Sequence, residues 1–319
     1  MTENTTPTYE GRTLPKPDEE LVDQGLQFDI GTLLSRRGLL GLLGGGAAMA
    51  ALTACGATTE VAASAATPTP TAATATAAAG ALTEIPDETA GPYPGDGSNG
   101  ADVLEQSGVV RSDIRSSFGS STRTAPGVPM TLELTMVDMA NGNVPMVDAA
   151  VYVWHCDRDG NYSMYSNGVT GENYLRGVQV TDAQGVVRYT SIFPACYSGR
   201  WPHIHFEVYP DQASIIDATK AVCTSQVALP KEVCDTVYAT TGYSQSVKNL
   251  ASLSLKSDNV FGDDGGEHQL ATVSGDVTSG YTVRLTVGVD TRTTPTGGGM
   301  AGGGRGPGGT PPTGAPGSR

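Results

Sequence analysis

Two histidines stand one residue apart, at 203 and 205, inside the run His203-Ile204-His205-Phe206-Glu207-Val208-Tyr209. The run has strand character, and in a strand side chains i and i+2 leave from the same face. His203 and His205 can therefore reach one metal ion, and imidazole suits iron, zinc and copper. Taken alone, the pair fits a metal site and a hydrogen-bonded sheet face equally well. The chain holds only four histidines, and the other two, His155 and His268, are read as structural.

The surroundings of the pair carry more. His203 is preceded by Phe193-Pro194-Ala195-Cys196-Tyr197-Ser198-Gly199-Arg200-Trp201-Pro202, and further upstream stands Ala149 to Ser163, with Trp154-His155-Cys156-Asp157 and Gly160-Asn161-Tyr162. Earlier still is Asp87-Glu88-Thr89-Ala90-Gly91-Pro92-Tyr93. In this order the three blocks resemble the intradiol ring-cleavage dioxygenases, in particular the group similar to protocatechuate 3,4-dioxygenase and, within it, secreted members. The resemblance covers about 87–209 and continues more loosely to about 290. Its most specific element is Tyr-x-x-Arg-x-x-His-x-His over 197–205.

The resemblance implies a ferric ion held by two tyrosinates and two histidines: here Tyr162, Tyr197, His203 and His205, with Tyr197 and His205 axial. Most of the 12 tyrosines must be structural, and only their place in the motifs singles out these two. Elementary chemistry agrees with the set. Phenolate is a hard anionic donor that favours Fe(III), and a phenol of pKa about 10 ionises near neutral pH only beside a strong cation. The implied reaction opens a catechol-type ring with O2 to a cis,cis-muconate-type diacid. The axial phenolate of Tyr197 leaves the metal to take a substrate proton. By the same resemblance Arg200 stabilises charge developing on the substrate, Pro92 and Tyr93 line the pocket, and Gln226 is a supporting glutamine. Only five residues separate Tyr197 from His203, fewer than in the intracellular enzymes, which implies a more open site. Two other readings compete: a zinc or Fe(II) β-sandwich enzyme using the histidines alone, and a non-catalytic surface module that binds a ligand. Neither gives a reason for Tyr162, Tyr197 and Arg200 to stand in motif register with the histidines.

The elements that would position these residues are strands. Thr131 to Val137 and Gly185 to Ile192 alternate polar and apolar side chains; Ala149–Trp154, His203–Tyr209 and Tyr281–Val289 add β-branched and aromatic runs. Turn residues such as Asn141-Gly142-Asn143 and Asp159-Gly160-Asn161 punctuate them. The expectation is an all-β fold: a single-domain antiparallel β-sandwich with long loops and one or two short helices, over 230–239 and 244–252. Asp157-Arg158-Asp159-Gly160-Asn161 has a calcium-loop look but lacks helical flanks and a closing glutamate, so a turn is the better reading.

The ends of the chain read differently. Arg36-Arg37 precede a weakly apolar, Gly- and Ala-rich run that ends at Leu52-Thr53-Ala54-Cys55. This pattern resembles a Tat-type export signal with a lipoprotein cleavage site. Residues 1–54 are the signal and Cys55 the lipidated residue; 55–83 form an Ala/Thr/Pro-rich stalk, 84–292 the folded domain and 293–319 a Gly/Pro-rich tail. The product would be a cell-envelope lipoprotein or extracellular, touching membrane only through its anchor. Of the remaining cysteines Cys156, Cys196, Cys223 and Cys234, an even number in an exported protein suggests two disulfides. Three pairings are open; nearness favours Cys223 with Cys234, leaving Cys156 with Cys196. A net charge of −14 speaks against nucleic acid as a partner. The partners are a small aromatic diol and O2, with homo-oligomerisation open.

Overall fold

A computed structural model of the chain describes residues 82–296, together with the backbone of two short strands near the N-terminus, β1 (Thr8–Tyr9) and β2 (Arg12–Thr13). Apart from those two strands, the signal segment lies outside the described residues, as do Cys55, most of the stalk and the tail beyond 296. The chain divides into two units, Met1–Ala77 and Ala78–Arg319. In the first, β1 and β2 pair antiparallel. The second carries everything that follows.

It is a two-layer β-sandwich. One sheet is built on the long strand β3 (Pro129–Asp138). On one side β3 pairs with β11 (Gly280–Val289), which in turn pairs with β10 (Thr272–Asp276). On the other side it pairs with β7 (Val186–Ile192) and, at its end, β4 (Val144–Pro145). The second sheet has the order β6 (Arg176–Val180), β5 (Ala150–Trp154), β8 (His203–Tyr209), β9 (Cys223–Ala228). The sequence expectation of an all-β sandwich holds, with one difference: β11 and β3 run parallel, joining distant parts of the chain at the sheet's centre.

Alternation explains the layering. Along β3, Met130, Leu132, Leu134 and Met136 are buried and the residues between them are not. From the facing sheet, Val151, Val153, Ile204, Phe206 and Val208 enter the same core, each contributing on the order of 1.5–3 kcal/mol. The hydroxyl of Tyr189 on β7 donates to the carbonyl of Val151 on β5 at 2.6 Å, tying the two sheets. The outer face of the second sheet is buried as well. There Ala150, Tyr152, Trp154, Val178 and Tyr209 pack with Ala90, Val103, Leu104, Val109 and Tyr162 from the loops. With Ile204 and Phe206 in the sandwich core, strand alternation sends His203, His205 and Glu207 to this second, loop-covered face.

The two helices form where expected, α1 at Lys231–Tyr238 and α2 at Ser244–Leu250. Pro230 stands one place before α1, in extended conformation. Among the described residues no helix is long and apolar enough to cross a membrane. The Asp157–Asn161 segment is a turn: Asp157 Oδ1 accepts from the Asp159 and Asn161 amides, each at 2.9 Å.

The disulfide expectation is corrected. Cys156, Cys196, Cys223 and Cys234 are all free and buried. Cys223 opens β9 and Cys234 lies beyond that strand's far end, on α1. A six-residue strand spans roughly 16 Å, whereas a disulfide needs Cα atoms within about 7 Å. Cys156 Sγ instead contacts the Ala195 carbonyl at 3.6 Å, and Cys196 Sγ the Arg200 carbonyl at 3.5 Å.

Candidate metal centre

The structure brings Tyr162, Tyr197, His203 and His205 to one point. His203 Nε2 lies 3.1 Å from His205 Nε2, 3.2 Å from the Tyr197 hydroxyl and 3.5 Å from the Tyr162 hydroxyl, and the two hydroxyls are 3.5 Å apart. His203 and His205 come from β8, Tyr162 from the loop after β5, and Tyr197 from the loop between β7 and β8.

Each donor is held from behind. His203 Nδ1 meets the Trp201 carbonyl at 2.5 Å, which orients Nε2 toward the other three donors. His205 stacks on Trp154, its register partner on β5, with ring centroids 4.8 Å apart. Tyr162 is buried, its amide donating to Ser166 Oγ and its ring 4.9 Å from Tyr93. Two glycines permit the close packing. Gly91 has φ +71°, and a Cβ there would meet His205 Cε1 at 3.3 Å; Gly160 has φ +88°, and its Cβ would meet Tyr197 Cβ at 3.3 Å.

A buried guanidinium secures the loops. Arg176 donates to the carbonyls of Tyr93, Pro94 and Ser163, to Ser163 Oγ and to the Tyr152 hydroxyl, all at 2.8–3.0 Å. It thereby joins the 93–94 segment to the loop that carries Tyr162. On the other flank, Arg200 Nη2 donates to Gln226 Oε1 at 2.7 Å, and Gln226 Nε2 donates to the Thr89 carbonyl at 3.0 Å. Gln226 is the β9 register partner of His205 and is fully buried. Pro92 and Tyr93 sit in the loop over the donors, Pro92 exposed and Tyr93 half-buried.

The electrostatics suit a cation. Burial holds His203 down to about 3 and His205 well below the ordinary histidine range, so both rings present lone pairs. Burial pushes the Tyr197 phenol up to about 12, opposed by the charge of Arg200, and raises the Tyr162 phenol well above the ordinary tyrosine range. With no ion between them, both phenols keep their protons. Four donors converging at such separations match the contacts around one small ion. Among the described residues no group of three His, Cys, Asp or Glu could hold a metal.

Sequence reasoning missed three residues here. Trp154 was legible from strand pairing alone. Gly91 was visible in its block but has no meaning without the fold. Asp258, which receives Arg200 through Nε at 3.0 Å, lies 58 residues away in a loop whose position no sequence pattern signals.

The family model described as Dioxygenase matches residues 114–214, a span that contains Tyr162, Tyr197, Arg200, His203 and His205. The fold is similar to the intradiol ring-cleavage dioxygenase of Tetranychus urticae, at 21% identity and TM-score 0.54, covering 67% of this chain and 97% of that one. The crystal structure of the dioxygenase Tetur07g02040 is similar at 21% identity and TM-score 0.53, covering 66% of this chain and 96% of that one. The sequence matches no curated protein. The chain thus carries a dioxygenase family segment on a fold similar to that of an intradiol ring-cleavage dioxygenase.

Proposed function

We propose that this chain is a non-haem iron(III) enzyme that cleaves catechol-type rings with O2 between the two hydroxyl-bearing carbons, giving cis,cis-muconate-type diacids. The observation that carries this reading is the convergence of two phenols and a second lone-pair imidazole within 3.5 Å of His203 Nε2. Tyr162, Tyr197, His203 and His205 would hold the ion. Bound iron(III) would supply Lewis acidity toward both catechol oxygens and render the ring reactive to O2.

The protein's own groups divide the remaining work. Tyr197 is the more exposed of the two phenols, and the charge of Arg200 favours its ionised form, so its Oη is the atom suited to take a substrate hydroxyl proton. Tyr162 is buried against Tyr93 and stays in place. Arg200, fixed by Asp258 and Gln226, directs positive charge at the ring as negative charge develops on it. Trp154 and the Gly91 segment close the rear of the site against water.

The deciding measurement is the visible spectrum of the iron-loaded protein with and without anaerobic catechol. Two tyrosinates on iron(III) colour the resting protein, and catechol moves the band to longer wavelength. A protein that stays colourless after ferric reconstitution would refute the tyrosinate set and favour a histidine-only metal site or a binding module.

The N-terminal pattern supports a place outside the cytoplasm: export by a Tat-type signal and anchorage through a lipid on Cys55. Metabolic labelling with a radioactive fatty acid tests it, since a Cys55→Ser variant must lose the label.

A further inference from the structure

Tyr197 follows a stretch of chain that is pinned residue by residue. The Tyr243 hydroxyl donates to the Phe193 carbonyl at 2.8 Å, and the Tyr238 hydroxyl to the Pro194 carbonyl at 3.1 Å. The Ala195 amide donates to the Asp157 carbonyl at 3.2 Å. Both polar backbone groups of Cys196 are taken by α2. Its amide donates to Ser246 Oγ at 3.0 Å, and its carbonyl accepts from Asn249 Nδ2 at 2.8 Å. Ser246 and Asn249 are three residues apart, so they leave one face of the helix together. Gln245, one turn before Asn249, donates from Nε2 to Asn249 Oδ1 at 3.2 Å, which turns the Asn249 N–H groups toward Cys196.

Beyond Cys196 the pinning stops. Among the described residues no backbone amide from Tyr197 to Arg200 donates to another backbone group, and Ser198 and Gly199 are exposed. The chain is caught again at Trp201, whose amide donates to Asp258 Oδ2 at 2.6 Å. Tyr162 is mounted differently. Its own amide donates to Ser166 Oγ at 2.9 Å, and its carbonyl accepts the Ser166 amide at 2.9 Å. The backbone of Tyr162 is thus held directly, whereas that of Tyr197 takes its position from its neighbour Cys196.

We propose that Ser246 and Asn249 are positioning residues for Tyr197: by holding the amide and the carbonyl of Cys196 they fix the pivot from which the phenol reaches the other three donors. The proposal rests on the dioxygenase reading. Loss of either pin lengthens the unheld span at its near end. A small rotation there is magnified at the hydroxyl, which stands at the far end of a long rigid side chain. Tyr162, His203 and His205 have no contact with α2 through these pins and keep their places.

The test uses the iron-loaded full chain and the variant Asn249→Asp, which keeps the shape of the side chain and removes its N–H donor. Asn249 is only half-buried. The variant binds iron, but its resting visible band falls toward that of Tyr197→Phe, and it releases fewer protons than wild type on taking up iron(III). With catechol its kcat falls on the order of tenfold to a hundredfold, and KM moves less. In a Tyr197→Phe background Asn249→Asp leaves the band where Tyr197→Phe alone puts it, because the pin acts only through that phenol; a merely structural loss lowers it further. Ser246→Ala carries the same test should Asn249→Asp fail to fold, and Lys248→Ala, exposed on the same helix, matches wild type throughout. A wild-type band and kcat in both folded pin variants overturn the proposal, as does an equal drop in the Tyr197→Phe background. If wild type is coloured and responds to catechol while the pin variants do the same, only the proposal fails; if wild type stays colourless with iron(III), the dioxygenase reading fails and takes the proposal with it.

Discussion

His205 lies flat on Trp154, with ring centroids 4.8 Å apart and planes 7° from parallel. Tyr152 stacks behind Trp154 at 5.0 Å, so two stacked rings back one donor of the centre. Trp154 is fully buried, and its Nε1 has no hydrogen-bond partner; its contribution is therefore packing. Trp154→Ala should cost about 3–5 kcal/mol and Trp154→Phe distinctly less, about 1–2 kcal/mol. Urea unfolding reads the stability, and bound iron per chain reads the position of His205. Full iron retention by a folded Trp154→Ala protein would show that the stack does not hold the ring.

The two phenols give a second prediction. Burial keeps both protonated in the absence of a cation, whereas a ferric ligand set needs both ionised. Iron(III) binding at neutral pH should therefore release the two phenolic protons along with any from bound water. Tyr162→Phe should release one fewer, and so should Tyr197→Phe. An indicator titration in weak buffer measures this directly, and equal release by wild type and both variants would remove the tyrosines from the ligand set.

Much of this architecture was legible in the sequence because its periodicities are strong. β3, β7 and β8 declare themselves by alternation or β-branched runs, and β8 carries His203 and His205 with a two-residue spacing that needs no further information. β9 does not declare itself. Cys223-Thr224-Ser225-Gln226-Val227-Ala228 is buried throughout, but its polar side chains spend their hydrogen bonds on the 86–89 segment, which hides the burial from a hydropathy reading. The parallel pairing of β11 with β3 and the reach of Asp258 back to Arg200 are long-range contacts that no local pattern specifies. The disulfide expectation failed for a related reason: parity of cysteines says nothing of the strand length that separates Cys223 from Cys234.

A third prediction concerns pH. His155 is buried between the Cys156 carbonyl, 2.8 Å from Nδ1, and Ser191 Oγ, 2.7 Å from Nε2. Burial lowers its pKa to about 4, with the Cys156 carbonyl opposing. Its unfolded value is about 6.5. On acidification the unfolded chain takes up the proton first, so this contribution to stability is present above about 6.5 and is lost as pH falls toward 4. The loss is of order 3 kcal/mol. His155→Gln cannot titrate, so the fall in stability between pH 7 and pH 4 should be shallower than in wild type. Urea midpoints at several pH values, taken on iron-loaded protein to keep His203 and His205 ligated, check it; parallel curves would mean that His155 does not titrate in this range.

The four domain cysteines yield the last prediction. Burial pushes the Cys196 thiol up to about 12 and raises those of Cys156, Cys223 and Cys234 well above the ordinary thiol range. The thiolate is the reactive form, so native protein should react very slowly with a thiol-specific disulfide reagent. In a Cys55→Ser background, urea without reductant should expose four thiols per chain. Added reductant should leave the urea midpoint unmoved, because a disulfide would otherwise contribute about 2–4 kcal/mol. The two expected pairings are not equal under this test. Cys156 Sγ touches the carbonyl of the residue before Cys196, so a count of two thiols would be geometrically intelligible there. Cys223 opens β9 and Cys234 lies on α1, after that strand has ended, so the same count is harder to reconcile with that pair.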